Sequence, residues 1–363
     1  MSNIQRGCRL FEADFSGIEA VLSGYFMRAP EYIWLAKLGV HAGLASHILK
    51  RPYDPSWGTD AVAAYFKEIK NSEPVVYDRS KRCVHGKNYG LTIHGMVRNF
   101  PETYPTLTVA KKFEAVYNEM APELPRWHAD IRTVAYELNY LGGASKPAAY
   151  PNNVAQVFAR NPHLTHHPYG YKHWFWSVLG FRGIPFHVYQ KRQAAHEPVV
   201  TIQGKFYAVI MGDDAKRAVA FFPQSTAAAI LKEVMLRLFD PDSPAYIGDA
   251  YYGRTPFRAP IHDSLLLEIP IRVWDKVVEH VYREMLRPIP ELSLDWVPAA
   301  DRQRLGMGTL LSIGVAGKAG MDWKHMDNLP NPTLEELGVA VDGTFFVHED
   351  ADEEDEESLG TVA

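Results

Sequence analysis

Two short stretches of the sequence each set a carboxylate at the edge of an apolar run. In "ADFSGIEA" (13–20), Asp14 ends such a run and Glu19 follows five residues later. In "IHDSLLLEIP" (261–270), Asp263 stands at the front of another. Burying an ionised carboxylate is very unfavourable unless a cation or hydrogen-bond donors meet it. We therefore expect the two aspartates to lie either in a solvent-exposed turn or next to a positive charge.

A third stretch, "KRCVHGKNYG" (81–90), combines a cation, an imidazole and a phenol. Lys81, His85 and Tyr89 follow one another at intervals of four, which aligns their side chains on one face of a helix. Two carboxylates on neighbouring strand ends could hold two divalent ions about 3.5–4 Å apart, the arrangement used for in-line phosphoryl displacement. The Lys81 face would then meet the triphosphate and base of a nucleotide.

The elements that must position these side chains are predicted to be short strands and amphipathic helices. We expect strands at 9–15 and 308–320, and a hairpin around His262 and Asp263. Residues 141–212 are rich in Gly, Pro, His and aromatic residues, and "HWFWSVLGF" and "EPVVTIQGKFYAVI" predict strands of an inserted, partly β subdomain. The overall pattern indicates an α+β fold. The predicted helices are 17–28, 41–50, 60–70, 76–90, 106–121, 126–140, 213–239 and 271–286.

Composition and charge are those of a globular protein from a reducing compartment. The chain has 363 residues, 47% of them hydrophobic, and its two cysteines give no disulfide framework. It has no signal-like or membrane-spanning run, so a soluble, unprocessed cytoplasmic protein is expected. The net charge is −5, but residues 349–357 hold eight acids and no base, so the rest is mildly basic. Such a body can bind nucleic acid through local patches, and the acidic segment is expected to be solvated and disordered from about residue 348.

The three stretches resemble motifs A, B and C of family A DNA polymerases, in the same order along the chain. "DFSGIE" resembles the family's D-Y-S-x-I-E, and "KRCVHGKNYG" resembles K-x-x-x-[FY]-G-x-x-Y-G. "IHDSLLLEIP" resembles the V-H-D-E strand hairpin. "AFFPQSTAAAILKEVM" and "IGVAGKAGMDW" are similar to the family's N-x-P-x-Q-[GS]-T-A-A helix and closing G-x-x-W strand. The resemblance runs from about residue 3 to residue 323, and 141–212 fits it poorly.

The resemblance implies an α+β polymerase palm with an antiparallel sheet, helical fingers and no thumb in this chain. The implied activity is template-directed DNA synthesis on primer–template DNA, with dNTP as substrate and two Mg²⁺ ions as cofactors. Asp14 follows Met1 so closely that we expect a second chain to supply the thumb, the remaining palm and any exonuclease. A split polymerase of this kind belongs in bacterial or phage-infected cytoplasm. The implied domains are palm 1–30 with motif A, fingers 31–140 with motif B at 77–90, insert 141–212, palm 213–330 with motif C at 261–270, and tail 331–363.

The resemblance also implies roles for individual residues. Asp14 and Asp263 would bind the metal ions. The remaining residues would contact the nucleotide or the DNA. These are Lys81 and His41 at the triphosphate, Glu19 as the steric gate against a ribose 2′-OH, His85 at the sugar, Tyr89 beside the templating base, and Gln224 and His262 in the primer–template minor groove.

Three positions depart from the family pattern. Tyr77 replaces an arginine four residues before Lys81, His85 replaces an aromatic residue, and Ser264 replaces the third acid of motif C. Tyr77 leaves it undecided which residue contacts the phosphate, and His85 leaves sugar discrimination undecided. With Ser264 in the motif, only two carboxylates are available to bind metal.

Two other functions compete with DNA synthesis. Single-subunit RNA polymerases share "HDS" and a related motif B, but Glu19 opposes them because they leave the 2′-OH pocket open. A non-catalytic DNA-binding subunit that kept the fold is opposed by the retention of Asp14, Lys81 and Asp263, since binding alone needs no paired carboxylates.

Overall fold

The protein is built of helices and antiparallel sheets and divides into two compact units. The sheet unit comprises Met1–Ser16 and Leu231–Ala363, and the helical unit comprises Gly17–Ile230. The structure is a computed structural model that describes residues 7–131, 167–171, 179–195, 197, 199–212, 214–247 and 257–339. No helix within these described ranges is long and apolar enough to cross a membrane.

The strands form one large and two small antiparallel sheets. The sheet unit holds a five-stranded sheet in the order β10-β9-β1-β6-β5 and a β7–β8 pair, and the helical unit holds a three-stranded sheet in the order β2-β4-β3. The strands are β1 (Cys8–Phe15), β2 (Leu179–Gly183), β3 (Val199–Ile202), β4 (Lys205–Met211), β5 (Phe257–Ile261), β6 (Ser264–Pro270), β7 (Ile289–Ser293), β8 (Leu310–Leu311), β9 (Val315–Gly320) and β10 (Met326–Asn328).

Most of the helices lie in the helical unit, where they surround the segment resembling motif B. The first seven are α1 (Ile18–Met27), α2 (Pro30–Leu38), α3 (Val40–Ile48), α4 (Thr59–Ser72), α5 (Pro74–Asn88), α6 (Ile93–Asn99) and α7 (Leu107–Met120). The others are α8 (Phe186–Ala194), α9 (Asp214–Phe239), α10 (Trp274–Leu286) and α11 (Ala299–Arg304), and the division between the units falls within α9.

The predicted elements agree with the structure in most places. The strand at 9–15, the hairpin at 262–263 and the predicted helices up to residue 121 are confirmed within two residues at each end. Helices α2, α6, α8 and α11 were not predicted, and the strand predicted at 308–320 is wrong in that it breaks into β8 and β9. The helix predicted at 126–140 is described only as far as residue 131. Residues 172–178 and the acidic segment lie outside the described residues.

The five-stranded sheet is held by the amphipathic helix α10. Phe11, at the centre of β1, is fully buried and meets Trp274 and Tyr282 of α10 edge to face, with ring centroids 6.0 and 5.5 Å apart. Gly317 of β9 permits this packing, because a Cβ there would lie 1.7 Å from the Tyr282 hydroxyl oxygen. The centre of strand β1 is therefore held in place by side chains of α10, a helix that is distant from β1 along the chain.

In the helical unit, Asn88 fixes the end of α5. Its side-chain oxygen accepts hydrogen bonds from Tyr117 at 2.6 Å and Tyr32 at 3.2 Å, and its backbone oxygen lies 2.8 Å from the His128 Nε2. All four groups are buried. Buried polar groups that are hydrogen-bonded make a rigid, specific core. The backbone position of the next residue, Tyr89, is therefore well defined.

Candidate active site

The hairpin between β5 and β6 brings Asp263 to the end of β1. Ile261 and Ser264 pair across the turn, which leaves His262 and Asp263 as its two central residues. His262 has a φ of 56°, a left-handed conformation that is uncommon for residues other than glycine and suits a tight hairpin. The Asp263 carbonyl accepts a hydrogen bond from the Phe15 amide at 3.3 Å. Asp263 is thus held next to Asp14, whose strand partner is Ser264.

The carboxyl groups of Asp14 and Asp263 lie within hydrogen-bonding distance of each other. The pKa of Asp14 is raised to about 7, first by burial and then by the charge of Asp263, the hydrogen bond between the two groups and the charge of Glu12. Lys318 opposes the shift. Two adjacent carboxyl groups cannot both ionise easily, so without a cation they share a proton near neutral pH.

Glu12 adds a third carboxylate to the same face of the sheet. Its side chain accepts hydrogen bonds from Trp323 Nε1 at 2.8 Å and from the Ser264 hydroxyl at 3.4 Å. Neither Glu12 nor Lys318 was predicted from the sequence. The available signal was strand periodicity, since Glu12 stands two residues before Asp14 and alternate residues of a strand share a face. Ser264, which replaces an acid of the motif, is therefore joined to an acid from the neighbouring strand.

The aspartate pair fits a magnesium site by its chemistry. Mg²⁺ prefers oxygen ligands and is usually bound through one or two carboxylates together with water and substrate phosphates. A divalent cation would also remove the repulsion that raises the pKa of Asp14. No group of three or more His, Cys, Asp or Glu residues suited to a metal ion occurs in the described part of the chain, so the protein offers this site two carboxylates rather than a complete cage.

In the helical unit, Glu19 is held by residues from two other helical segments. The Tyr89 hydroxyl donates to its Oε2 at 2.5 Å, the Gln224 amide approaches its Oε1 at 3.5 Å, and the His85 Nδ1 lies 4.0 Å from Oε2. Burial, followed by the charge of Glu19, raises the pKa of Tyr89 well above its usual range, so the phenol stays a hydrogen-bond donor. Glu19 remains one-third exposed and can still meet a ligand.

The face of α5 that carries Lys81 and His85 packs against α3. The ring of His41, from α3, lies 5.3 Å from the ring of His85 and 6.0 Å from that of Tyr77. Burial, followed by the neighbouring His85, Lys81 and Lys70, lowers the pKa of His41 to about 3, so this imidazole is neutral at physiological pH. Lys81 is exposed on the same helix face. This face therefore carries an exposed ammonium group and an imidazole that lies next to a second imidazole from α3.

The residues predicted from the sequence fall into two groups. The sheet unit contains Asp14 and Asp263 together, with His262 exposed in the turn beside them. The helical unit contains the others, which lie on α1, α3, α5 and α9 and in the residue that follows α5. They are Glu19, His41, Lys81, His85, Tyr89 and Gln224.

Comparisons with known proteins give a structural match but no sequence match. No family model matches the chain, and no curated protein matches it in sequence. Among solved structures it is similar to the POL domain of Pol1 from M. smegmatis in complex with DNA primer-template and dNTP. The TM-score is 0.50 at 16% identity, over 88% of this chain. The chain spans 41% of the length of that structure's chain. At this identity the likeness shows a shared fold.

Proposed function

We propose that this protein catalyses template-directed, Mg²⁺-dependent transfer of a deoxynucleotide to a primer 3′-OH. The observation that carries the proposal is the aspartate pair at the end of β1, where burial and the adjacent charge of Asp263 raise the pKa of Asp14 to about 7. The fold likeness to a polymerase domain supports it, as does the residue set around Glu19 and Lys81.

In the reaction, the primer 3′-oxygen forms a bond to the α-phosphorus of a dNTP and the bond to the bridging oxygen breaks, releasing pyrophosphate. Asp14 and Asp263 would hold the ions, which when bound lower the pKa of the attacking hydroxyl and offset charge on the triphosphate. Lys81, a flexible point charge, would contact the triphosphate. His41, neutral at physiological pH, would offer a hydrogen bond beside it.

Glu19 would select deoxyribonucleotides. Its carboxylate is fixed by Tyr89 and approached by His85, so its position is defined before a substrate arrives. A 2′-OH directed at such a group would meet a steric barrier and a competing hydrogen-bond network. His262 and Gln224 would contact the primer–template minor groove, where the shared acceptors of all base pairs can be sensed without reading sequence.

The parts of a polymerase that this chain does not match would come from further polypeptide, either elsewhere in the same protein or in a second chain. The comparison supports this, because the chain spans 41% of the polymerase chain that it resembles. Thumb contacts with the DNA backbone supply much of the non-specific affinity of such enzymes. Adding a polypeptide with those parts should therefore increase primer extension.

The test measures two quantities, Mg²⁺-dependent dNTP binding and single-turnover incorporation on a primer–template. We expect Asp14→Asn and Asp263→Asn to lower incorporation on the order of a thousandfold and to weaken Mg²⁺-dependent dNTP binding. Asp327→Asn is the matched control, because Asp327 is an exposed aspartate on β10 of the same sheet. If both site variants bind Mg²⁺·dNTP and incorporate it as well as the parent does, the proposal is wrong.

Substrate choice separates the two polymerase functions. Glu19→Ala should raise the use of rNTP relative to dNTP, while the parent should strongly prefer dNTP. A parent protein that already uses both would favour the RNA polymerase function. A protein that binds primer–template DNA but neither binds nor incorporates nucleotide would favour the DNA-binding subunit.

A further inference from the structure

Three helices of the helical unit bring a group of basic and aromatic side chains together. Tyr77, Lys81 and His85 lie at four-residue intervals along one face of α5. His41 approaches this face from α3, and Lys70 approaches it from the last turns of α4. The Lys70 ammonium lies 5.8 Å from the centre of the Tyr77 ring, and the His41 ring lies 6.0 Å from the same ring. We call these five residues the basic cluster.

The two lysines of the basic cluster carry uncompensated charge. Lys70 and Lys81 are both exposed, and neither has an ion-pair partner among the described residues. The acids nearest to them in sequence on α5 and at its start are already paired: Glu73 with Arg51 at 2.7 Å, and Asp78 with Arg82 at 2.9 Å. Lys70 therefore lies at the Tyr77 ring, both lysines act electrostatically on His41, and neither lysine forms an ion pair within the described residues, which is the electrostatic pattern of an anion site.

The imidazoles cannot supply the missing positive charge themselves. His41 is kept neutral by burial, and its Nε2 is a buried atom with no hydrogen-bond partner in the described structure. A buried polar atom without a partner destabilises the folded state unless a ligand supplies the missing hydrogen bond. His85 faces Glu19 through its Nδ1. The basic cluster thus presents two lysine charges and an unsatisfied hydrogen-bonding atom, His41 Nε2, to an anionic ligand.

Under the proposed function, that anion is a triphosphate contacted by Lys81. A triphosphate carries several negative charges, and its recognition depends almost entirely on positioning and on electrostatic stabilisation. The position one helical turn before Lys81 on the same face is Tyr77, which has no charge. The ring of Tyr77 instead supports an ammonium from α4, since cations bind favourably over aromatic faces.

We propose that Lys70 is a second triphosphate-binding cation, placed over Tyr77 so that its ammonium contacts the terminal phosphates of a nucleotide held by Lys81. This inference rests on the proposed function, because it deepens the same nucleotide site. Lys70 belongs to a different helix from Lys81, so the two charges approach the polyanion from two sides. Lys70 acts in binding and is not required for the bond-forming step itself.

The test compares the affinities of the full chain for Mg²⁺·dATP, inorganic tripolyphosphate and dAMP by isothermal titration calorimetry. We expect Lys70→Met to weaken dATP and tripolyphosphate binding about tenfold, as loss of one charge-assisted contact predicts, with dAMP unchanged. Lys70→Arg should retain the affinity. Lys67→Met removes an exposed charge from the same helix and should leave all three affinities unchanged.

Rescue from the other helix gives the sharpest result. Tyr77→Arg places a cation one turn before Lys81, so we expect the Lys70→Met/Tyr77→Arg double variant to recover most of the lost triphosphate affinity. A purely structural role for Lys70 would not be rescued in this way. Because Lys70 is exposed, the single variant should keep the parent's circular dichroism spectrum and melting temperature.

Lys81→Met distinguishes failure of this inference from failure of the proposed function. If Lys81→Met weakens dATP binding but Lys70→Met does not, the assignment of Lys70 is wrong and the proposed function stands. If the parent does not bind dATP, or if Lys81→Met leaves binding unchanged, the proposed function itself is wrong. Equal weakening of dAMP and dATP by Lys70→Met would also overturn the triphosphate assignment.

Discussion

The sharpest consequence of the aspartate pair is that removing one carboxylate should stabilise the fold while removing the proposed cation site. The pKa of Asp14 rises from 3.8 to about 7 in the folded protein, chiefly through burial and the charge of Asp263. Between these two pH values the folded state holds a proton that the unfolded state has released. The free energy of unfolding therefore falls as the pH rises from about 4 to about 7, and the loss is complete above pH 7.

The size of this effect follows from the pKa shift. Each pKa unit corresponds to about 1.4 kcal/mol, which sets a ceiling of about 4 kcal/mol for a shift of about three units. Asp14 is only partly buried, and solvent screening reduces the interaction, so we expect about 1–2 kcal/mol. In EDTA at pH 8, Asp14→Asn should raise the free energy of unfolding by that amount and flatten its pH dependence between pH 4 and pH 7.

Magnesium should offset most of this difference in the free energy of unfolding. A ligand that binds only the folded state at ten times its dissociation constant stabilises by about 1.4 kcal/mol, and this gain should appear in the parent and not in Asp14→Asn. Urea denaturation followed by circular dichroism, with and without Mg²⁺, measures both effects. Asp327→Asn should behave as the parent does. If Asp14→Asn is less stable than the parent in EDTA at pH 8, or gains as much from Mg²⁺, the electrostatic reasoning is refuted.

Three further substitutions test the packing around the site by urea denaturation. Gly317→Ala should lower the free energy of unfolding by about 1–3 kcal/mol, because the new Cβ would overlap the Tyr282 hydroxyl. Adding Tyr282→Phe should recover part of this loss, and no recovery would contradict the assigned clash. His262→Gly should raise the free energy of unfolding by about 1 kcal/mol by relieving a left-handed backbone, so a decrease would show that φ is not strained there. Asn88→Ala should lower it by about 1–3 kcal/mol by leaving two buried tyrosine hydroxyls without their shared acceptor, and a neutral effect would mean that they find another.

The sequence predicted the elements whose pattern is local. Strand β1 and helix α1 were predicted because the apolar spacing changes from strand-like to helical between Phe15 and Ile18. The hairpin at Asp263 was predicted from the motif and the flanking apolar residues. Helix α2 was missed although Pro30 at its first position is a favourable start, with an acid in the first turn and a base in the last.

The contacts that could not be predicted from the sequence join residues that are distant along the chain. Ser264 in place of an acid indicated a site with only two carboxylates, yet the fold brings Glu12 from β1 into hydrogen-bonding distance of Ser264. Tyr77 in place of a cation likewise gave no sign that Lys70, on another helix, would lie over its ring. Both are contacts between elements, and a motif read along one element does not contain them.

The sheet unit neutralises its other buried acids in a different way, and this difference is the strongest argument for a cation at Asp14. Glu268 of β6 is paired with Arg258 of the adjacent strand, and Glu284 of α10 accepts a hydrogen bond from Arg237 at 2.7 Å. At the end of β1, by contrast, burial and then the charge of a second carboxyl group, Asp263, raise the pKa of Asp14. A sheet selected only for stability would gain by replacing one aspartate with an uncharged residue. Two adjacent aspartates beside the left-handed hairpin turn are expected if a divalent cation balances their charge.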